Sequence, residues 1–135
     1  MSENRTPIGS SAAPLDAVLG LTRTEDEGEW TVLRLDPSDL AVGATDPVTY
    51  LHGGALATCV DTAAWESMSR DHGESWVVAD LRIDFVRLGQ QQPHKVRAKP
   101  RKVGRRQAVV DVEISPWDDP KRLIALGRVL LSSTS

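Results

Sequence analysis

The segment His52–Ala64, HGGALATCVDTAA, combines residue types that can act on a carbonyl group. A His-Gly-Gly turn precedes an apolar stretch of helical character, and Asp61 lies well inside that stretch, nine residues after His52. An aspartate is normally stabilised only in the first turn of a helix, near the positive end of the helix dipole. Asp61 is therefore unusual for a purely structural helix, and it is the candidate base or nucleophile.

The turn before this helix offers a complementary electrophilic group. Gly53 and Gly54 let the backbone approach a ligand closely, and the free N–H groups of a helix start can hold an oxyanion. On a helical period the neighbours of Asp61 are mostly small, so they could leave a groove beside the carboxylate. These neighbours are Gly54, Ala57, Thr58, Ala64 and Trp65. The alternative is that Asp61 is a solvated residue of an amphipathic helix and His52 only part of a turn.

A second informative segment is basic. Between Phe85 and Val110 there is no Asp or Glu, whereas residues 95–106 hold seven of the 16 Lys and Arg residues. They are Lys95, Arg97, Lys99, Arg101, Lys102, Arg105 and Arg106. Strand alternation places the first four on one face, with Arg105 and Arg106 in the turn after Gly104. Guanidinium groups bind phosphates well, so the segment indicates a phosphate-bearing ligand. The alternative is a solvated strand face.

Length and composition predict one domain of 135 residues. Residues 1–14, rich in Ser, Pro and Gly, are expected to form a flexible arm, and residues 15–135 the folded domain. The net charge of -3 and the absence of interleaved aromatic residues from the basic segment argue against nucleic acid as a partner. No signal peptide or membrane-spanning run is found, and the single cysteine, Cys59, is expected to be a buried apolar residue. We expect a cytoplasmic protein without a membrane partner.

The pattern of apolar residues predicts one long helix and several strands, an α+β fold. The expected elements are a short helix at Leu15–Leu19, a strand pair at Leu19–Glu25 and Glu29–Asp36, and a long helix at Gly54–Arg70. Two later strands bury one face each, and antiparallel strands of this kind are expected to pack on the helix. Their inward residues are predicted as Val77, Ala79, Leu81, Ile83 and Phe85, and as Ala108, Val110, Val112 and Ile114. His72 and His94 are expected at the surface.

The stretch HGGALATCVDTAAW resembles the signature of hotdog-fold acyl-CoA thioesterases of the phenylacetate-degradation (PaaI-like) type. Downstream, VVADLRIDFVRLG is similar to that family's strand after the central helix. VRAKPRKVGRRQAVVDVEI and LIALGRVLL are similar to its last three strands, so the resemblance covers about Leu15 to Ser132. It implies a hotdog fold, an antiparallel sheet wrapped around one long central helix. It also implies a homodimer or dimer of dimers with the active site between subunits.

The resemblance implies a hydrolase that splits an acyl-CoA thioester into a free acid and coenzyme A. Asp61 would be the general base or the nucleophile, the Gly54 N–H the oxyanion donor, and His52 would bind near the thioester or fix the turn. Coenzyme A would enter only as part of the substrate, and neither a metal nor another cofactor is implied. The expected contacts to substrate and coenzyme A are Gly53, Thr58, Trp65, Val78, Arg87, Arg105 and Arg106.

Two positions depart from the family pattern. Asp46 stands six residues before His52, where these enzymes commonly carry Asn, and Val78 stands where several carry Ser or Thr. If the loop before His52 folds toward the site, Asp46 and Asp61 share one pocket, and two nearby carboxylates resist simultaneous ionisation. The alternative is that Asp46 only caps a turn with Pro47.

Two other functions fit parts of the sequence. Hotdog enoyl-CoA hydratases use an Asp and a downstream His on one loop, and Asp46 precedes His52 here, although the spacing differs by one residue and the Asn-Pro element is missing. The other is a non-catalytic acyl-CoA binding protein, as in the hotdog repressors, which append a DNA-binding domain for which this chain has no room. Thiol release from acyl-CoA distinguishes the thioesterase from both.

Overall fold

The computed structural model of the chain describes residues 14–44 and 47–135. The helices are α1 (Pro14–Leu19) and α2 (Gly53–His72), and Asp39–Ala41 forms a short 3₁₀ turn. The strands are β1 (Leu21–Arg23), β2 (Thr31–Leu35), β3 (Val42–Ala44), β4 (Tyr50–Leu51), β5 (Trp76–Phe85), β6 (His94–Val103), β7 (Gln107–Pro116) and β8 (Ala125–Ser133). Asp46 and the expected N-terminal arm, apart from Pro14, lie outside the described residues. Within the described ranges, no helix combines the length and the apolar character needed to cross a membrane.

Six strands form one antiparallel sheet in the order β1-β2-β6-β7-β8-β5, and β3 pairs with β4 separately. Helix α2 packs against five of these six strands, so the sheet curves around it. The core lies between them, where buried Cys59, Val60 and Met68 of the helix belong to one apolar cluster with the sheet. The predicted α+β hotdog architecture, one long helix wrapped by an antiparallel sheet, is confirmed.

Most of the predicted elements occur where the apolar pattern placed them. Helix α1 begins at Pro14, which suits the first turn of a helix, and β1 and β2 pair as the expected hairpin. The predicted inward face of β7 is buried. Cys59 is fully buried, as expected, and His72 is exposed. The pairing of β3 with β4, in the turn-rich segment before the long helix, is an addition to the predicted elements.

Strand β5 corrects the predicted alternation. Its pairing with β8 shifts between Val78 and Asp80, where a bulge inserts one extra residue. A bulge of this kind reverses the side-chain phase of the strand. Trp76 is therefore buried and Val78 packs against the core, whereas Val77 and Ala79, both predicted to face inward, are exposed. Beyond the bulge the predicted inward face holds for Leu81 and Ile83.

The expectation that His94 lies at the surface is wrong, since its exposed fraction is 0%. Its Nδ1 lies 2.6 Å from the Gln92 carbonyl oxygen, so Nδ1 carries the hydrogen. Its buried Nε2 has no hydrogen-bond partner among the described residues. Burial lowers the pKa of this imidazole, and the bond to Gln92 offsets part of that effect. His94 is therefore a neutral core residue.

Candidate active site

A groove of about 420 Å³ lies over the outer face of α2, between α1 and β5. Its walls come from all three elements: Leu15, Asp16, Gly54, Ala57, Thr58, Asp61, Thr62 and Leu81. The small side chains on this face of the helix leave the space, as the sequence pattern indicated. The structure thus brings Gly54, Thr58 and Asp61 to one surface.

Asp61 is exposed toward the groove, yet neighbouring protein atoms remove part of its solvation. This partial burial raises the pKa of the Asp61 carboxyl, and the nearby Asp16 carboxylate raises it further. A carboxylate with a raised pKa holds a proton more strongly and is a better general base. The electrostatics of the groove therefore suit proton abstraction.

Asp16, which the sequence did not single out, is a second carboxylate in the same groove. It is only 5% exposed, and its Oδ1 accepts a hydrogen bond of 2.8 Å from the Thr62 hydroxyl. Burial raises the pKa of Asp16, and the bond from Thr62 opposes that shift. An Asp in the first turn of a helix is ordinary, so α1 gave no sequence signal for this residue.

The start of α2 is capped by His52. Its Nδ1 accepts a hydrogen bond of 2.8 Å from the Gly54 N–H, and its ring is exposed. The Thr58 hydroxyl donates to the Gly54 carbonyl one turn further on, at 3.0 Å. Of the two roles expected for His52, the structure displays the one that fixes the turn. The imidazole holds the position at which an oxyanion would meet the Gly54 N–H.

Phe85 is a further neighbour of the helix start that the sequence missed. A Cβ at Gly53 would lie 3.3 Å from the tip of the Phe85 ring, so the ring packs over this glycine. The ring is 52% exposed, although the alternation of β5 predicted it to face the core. A side chain at position 53 would therefore press on the Phe85 ring, which leaves an apolar surface beside the turn.

Two predicted substrate contacts point elsewhere. The Trp65 indole donates to the Trp76 carbonyl at 3.0 Å and ties α2 to the start of β5. Val78 packs against the core. Neither is among the described residues that line the groove. Val78 lies just before the bulge of β5, on the inward side of the strand.

Four of the five Lys and Arg residues of β6 pair with acids within the described ranges. Lys95 pairs with Glu27 at 2.6 Å, Arg97 with Glu113 at 2.6 Å, Lys99 with Glu29 at 3.0 Å, and Arg101 with Asp111 at 3.4 Å. The Arg97 guanidinium also stacks 4.1 Å above the Trp30 ring. These contacts favour the solvated strand face over a phosphate site for the strand itself.

The remaining predicted coenzyme A contacts lie in loops. Arg87 donates to the Leu123 carbonyl at 2.7 Å. Arg105 and Arg106 are exposed in the turn between β6 and β7, as predicted, and no cation–carboxylate pair involves them within the described ranges. In this turn the Arg106 carbonyl accepts a hydrogen bond from the Ser133 N–H, and Ser133 lies near the C-terminal end of α2. That end is about 16 Å along the helix from Asp61, so one chain does not bring these arginines to the groove.

Gly54 and Asp61 share one helix face but are separated along it. Seven residues of rise place them about 10 Å apart along the axis of α2. A carbonyl in direct contact with both a donor and an attacking group needs them about 7 Å apart. These are backbone positions, and the Asp61 side chain, which leans toward the start of α2, together with one water molecule spans the difference.

Comparisons with known proteins agree with this architecture. Among solved structures, the PaaI protein of the phenylacetic acid degradation operon of E. coli is 20% identical with a TM-score of 0.74, over 91% of this chain and 86% of that one. Zebra fish Thioesterase Superfamily Member 2 is 20% identical with a TM-score of 0.78, over 92% and 89%. A Thioesterase family protein from Silicibacter pomeroyi is 19% identical with a TM-score of 0.77, over 90% and 89%. At these identities the structures show a shared fold.

The family assignment comes from the sequence itself. No curated protein is similar enough to count as a match. Residues 49–123, which include the HGG turn, α2 and four strands, match the model of the Thioesterase superfamily. Because this match spans more than half of the chain, the protein belongs to the Thioesterase superfamily, and its class of activity is thioester hydrolysis.

Proposed function

We propose that the protein hydrolyses an acyl-CoA thioester to a free acid and coenzyme A, with Asp61 activating the attack. The observation that carries the proposal is a carboxylate of raised pKa in the wall of a groove that reaches the helix start. The superfamily supports the thioester class, and the resemblance to PaaI-like enzymes supports coenzyme A as the thiol part of the substrate. Asp61 takes a proton from water as the water oxygen attacks the thioester carbon, and it returns this proton to the coenzyme A sulfur as the C–S bond breaks.

The Gly54 N–H is the proposed oxyanion donor. The substrate oxygen replaces His52 Nδ1 as the acceptor of this N–H, and the exposed imidazole turns aside. The donor lies at the positive end of a 20-residue helix, which favours a developing negative charge. Removal of one such donor in other enzymes has cost about 3 to 4 kcal/mol of transition-state stabilisation.

We further propose that Gly54 of one copy and Asp61 of a second copy act on the same thioester. The family resemblance, which implies a homodimer or dimer of dimers with the site between subunits, supports this arrangement.

Thiol release from a panel of short, long and aromatic acyl-CoA esters tests the activity. Asp61→Asn should lower kcat at least about 100-fold, since the variant cannot accept the proton. Asp71→Asn is the matched control, because Asp71 lies at the exposed end of the same helix, and it should keep wild-type turnover. Near-wild-type turnover by folded Asp61→Asn would show that another group activates the water. Hydration of an enoyl-CoA without thiol release would favour the hydratase instead.

Mixed assemblies test the shared site. Gly54→Pro deletes the donor N–H in the first helical turn, where proline is tolerated. Co-expression of Gly54→Pro with Asp61→Asn should restore about a quarter of wild-type activity in a dimer, since half of the pairs are mixed and each mixed pair has one intact site. If each chain used its own Gly54 and Asp61, the mixture would stay as inactive as the two single variants.

A further inference from the structure

We propose that Asp16 is a positioning residue of this site, which tunes Asp61 for attack by holding a second negative charge beside it. The inference rests on the proposed function of Asp61. It makes α1 a functional wall of the groove as well as a packing element.

The geometry places Asp16 firmly beside the catalytic helix. Its side chain is buried against α2, and Thr62, the residue after Asp61, donates a hydrogen bond of 2.8 Å to its Oδ1. Asp16 and Asp61 both line the groove. The Thr62 hydroxyl therefore anchors the Asp16 carboxylate near Asp61, instead of leaving it free to rotate into solvent.

The charged groups around Asp16 do not neutralise it. Helix α2 presents Asp61, Cys59 and Glu66, none of which is a cation. Strand β1 presents Arg23, but this guanidinium is shared between Glu66 at 3.2 Å and Asp26 at 2.8 Å. The 3₁₀ turn that packs on α1 carries Asp39, whose Oδ1 accepts from Gln91. Over the described ranges, no Lys or Arg pairs with Asp16.

An uncompensated carboxylate makes its neighbours harder to ionise. The charge of Asp16 contributes to the raised pKa of Asp61, and it acts in the same direction on Cys59 and Glu66. Asp61 thereby becomes a stronger base than a lone carboxylate. The acidic limb of the pH–rate profile should lie at a correspondingly higher pH.

The test is Asp16→Asn, which removes the charge and keeps an amide oxygen to accept from Thr62. The Asp61 midpoint, followed by carbon-13 NMR of its carboxyl, should fall by about one pH unit. The acidic limb of kcat/KM for acyl-CoA should move to lower pH by the same amount. Asp118→Asn removes an equal charge from an exposed position after β7, and it should leave the midpoint and the limb unchanged.

An Asp61 midpoint that is the same in wild type and Asp16→Asn would overturn the inference. In the wild type alone, coupled carboxyls should each show an inflection at the other's midpoint, so independent single-step curves would overturn it even if the variant did not fold. If the wild type released no thiol from any ester, the proposed function would fail. The NMR midpoints would still decide whether Asp16 acts on Asp61.

Discussion

At the scale of single residues, the two acids of the groove differ from the other acids of the chain. Most described carboxylates pair with a cation, such as Glu113 with Arg97 and Asp111 with Arg128. Asp16 is buried with only a hydroxyl as its partner. Burial of a charge without a counter-ion costs stability, and perturbed acids in a cleft are a frequent mark of a functional site. The cost at Asp16 is understandable if its charge serves Asp61.

The single cysteine should be inert in the native protein. Burial, together with the charge of Asp16, raises the pKa of the Cys59 thiol to about 12. The thiolate is the reactive form, so both the pKa and the lack of access prevent reaction. At pH 8 a disulfide reagent should leave the native protein unmodified over the time in which urea-unfolded protein reacts completely. Fast modification of the native protein would show that the helix opens locally or that Cys59 is accessible.

At the scale of elements, the turn between β6 and β7 differs from the strand that leads into it. Four of the strand cations are held by acids of a neighbouring strand or loop, whereas Arg105 and Arg106 are exposed at the turn. Exposed cations in a loop are available to a ligand, while paired cations have already lost much of their attraction for phosphate. The two halves of the basic segment should therefore behave differently on mutation.

Arg105→Ala and Arg106→Ala should each raise KM for acyl-CoA about 5- to 10-fold, since each removes a cation from the phosphates of the nucleotide. KM for a pantetheine thioester, which lacks the nucleotide, should change little. Arg101→Ala is the matched control, because Arg101 is exposed on the strand but pairs with Asp111. Equal changes in KM for both substrates in the turn variants would mean that Arg105 and Arg106 are solvated surface residues that do not bind the nucleotide.

The contact between β8 and α2 depends on Gly127. A Cβ at this position would lie 2.6 Å from Val60 Cγ1, so Gly127→Ala overfills the core and should lower the unfolding free energy by about 1 to 3 kcal/mol. Val60→Ala removes the methyl group that clashes. The double variant should therefore lose less stability than the sum of the single variants in urea denaturation. Strict additivity would mean that the helix and strand adjust independently of this contact.

At the scale of the whole molecule, folding stability should respond to pH through groups of opposite sign. The pKa values of Asp16, Asp61 and Glu66 are raised, so their contributions are present in acid and are lost as the pH rises through the folded pKa values. The pKa of His94 is lowered from 6.5, so its contribution is present above that value and is lost as the pH falls through the folded pKa. In weak acid the contributions of the three carboxyls and of His94 to the unfolding free energy change over overlapping pH ranges.

A comparison of variants separates the histidine from the carboxylates. The unfolding free energy of wild type relative to His94→Gln should decrease as the pH falls below 6.5. In this range the His94 imidazole gains a proton in the unfolded wild type, whereas burial opposes its protonation in the folded state, and the Gln variant has no such group. The acids contribute equally to both proteins and cancel. His72→Gln, at an exposed histidine, should show no such trend. A pH-independent difference for His94→Gln would mean that the ring gains solvent access without unfolding.

The sequence predicted the global arrangement better than the site. Periodicity predicted the long helix, the β1–β2 hairpin and the inward face of β7. The HGG turn, with Asp61 nine residues after His52, identified the helix that carries the candidate site. The bulge in β5 was hidden because Val77, Val78 and Ala79 are all apolar, which allows either phase. The depth of His94 and the approach of Asp16 to α2 are set by tertiary packing, which local patterns do not encode. The coupling predicted for Asp46 stays a prediction, and the structure offers Asp16 as a second carboxylate beside Asp61.

The cap at the start of α2 makes the proposed oxyanion donor selective. Because the Gly54 N–H is paired with His52 Nδ1 in this structure, a substrate would have to compete with the imidazole for it. A ground-state thioester oxygen is a neutral acceptor, like the imidazole nitrogen, and it gains little from the exchange. The oxyanion of the tetrahedral intermediate is charged, and charge-assisted hydrogen bonds are about twice as strong as neutral ones. With the Gly54 N–H as the proposed oxyanion donor, the histidine would be a competitor that the transition state displaces more easily than the substrate, which is the difference in binding that accelerates a reaction.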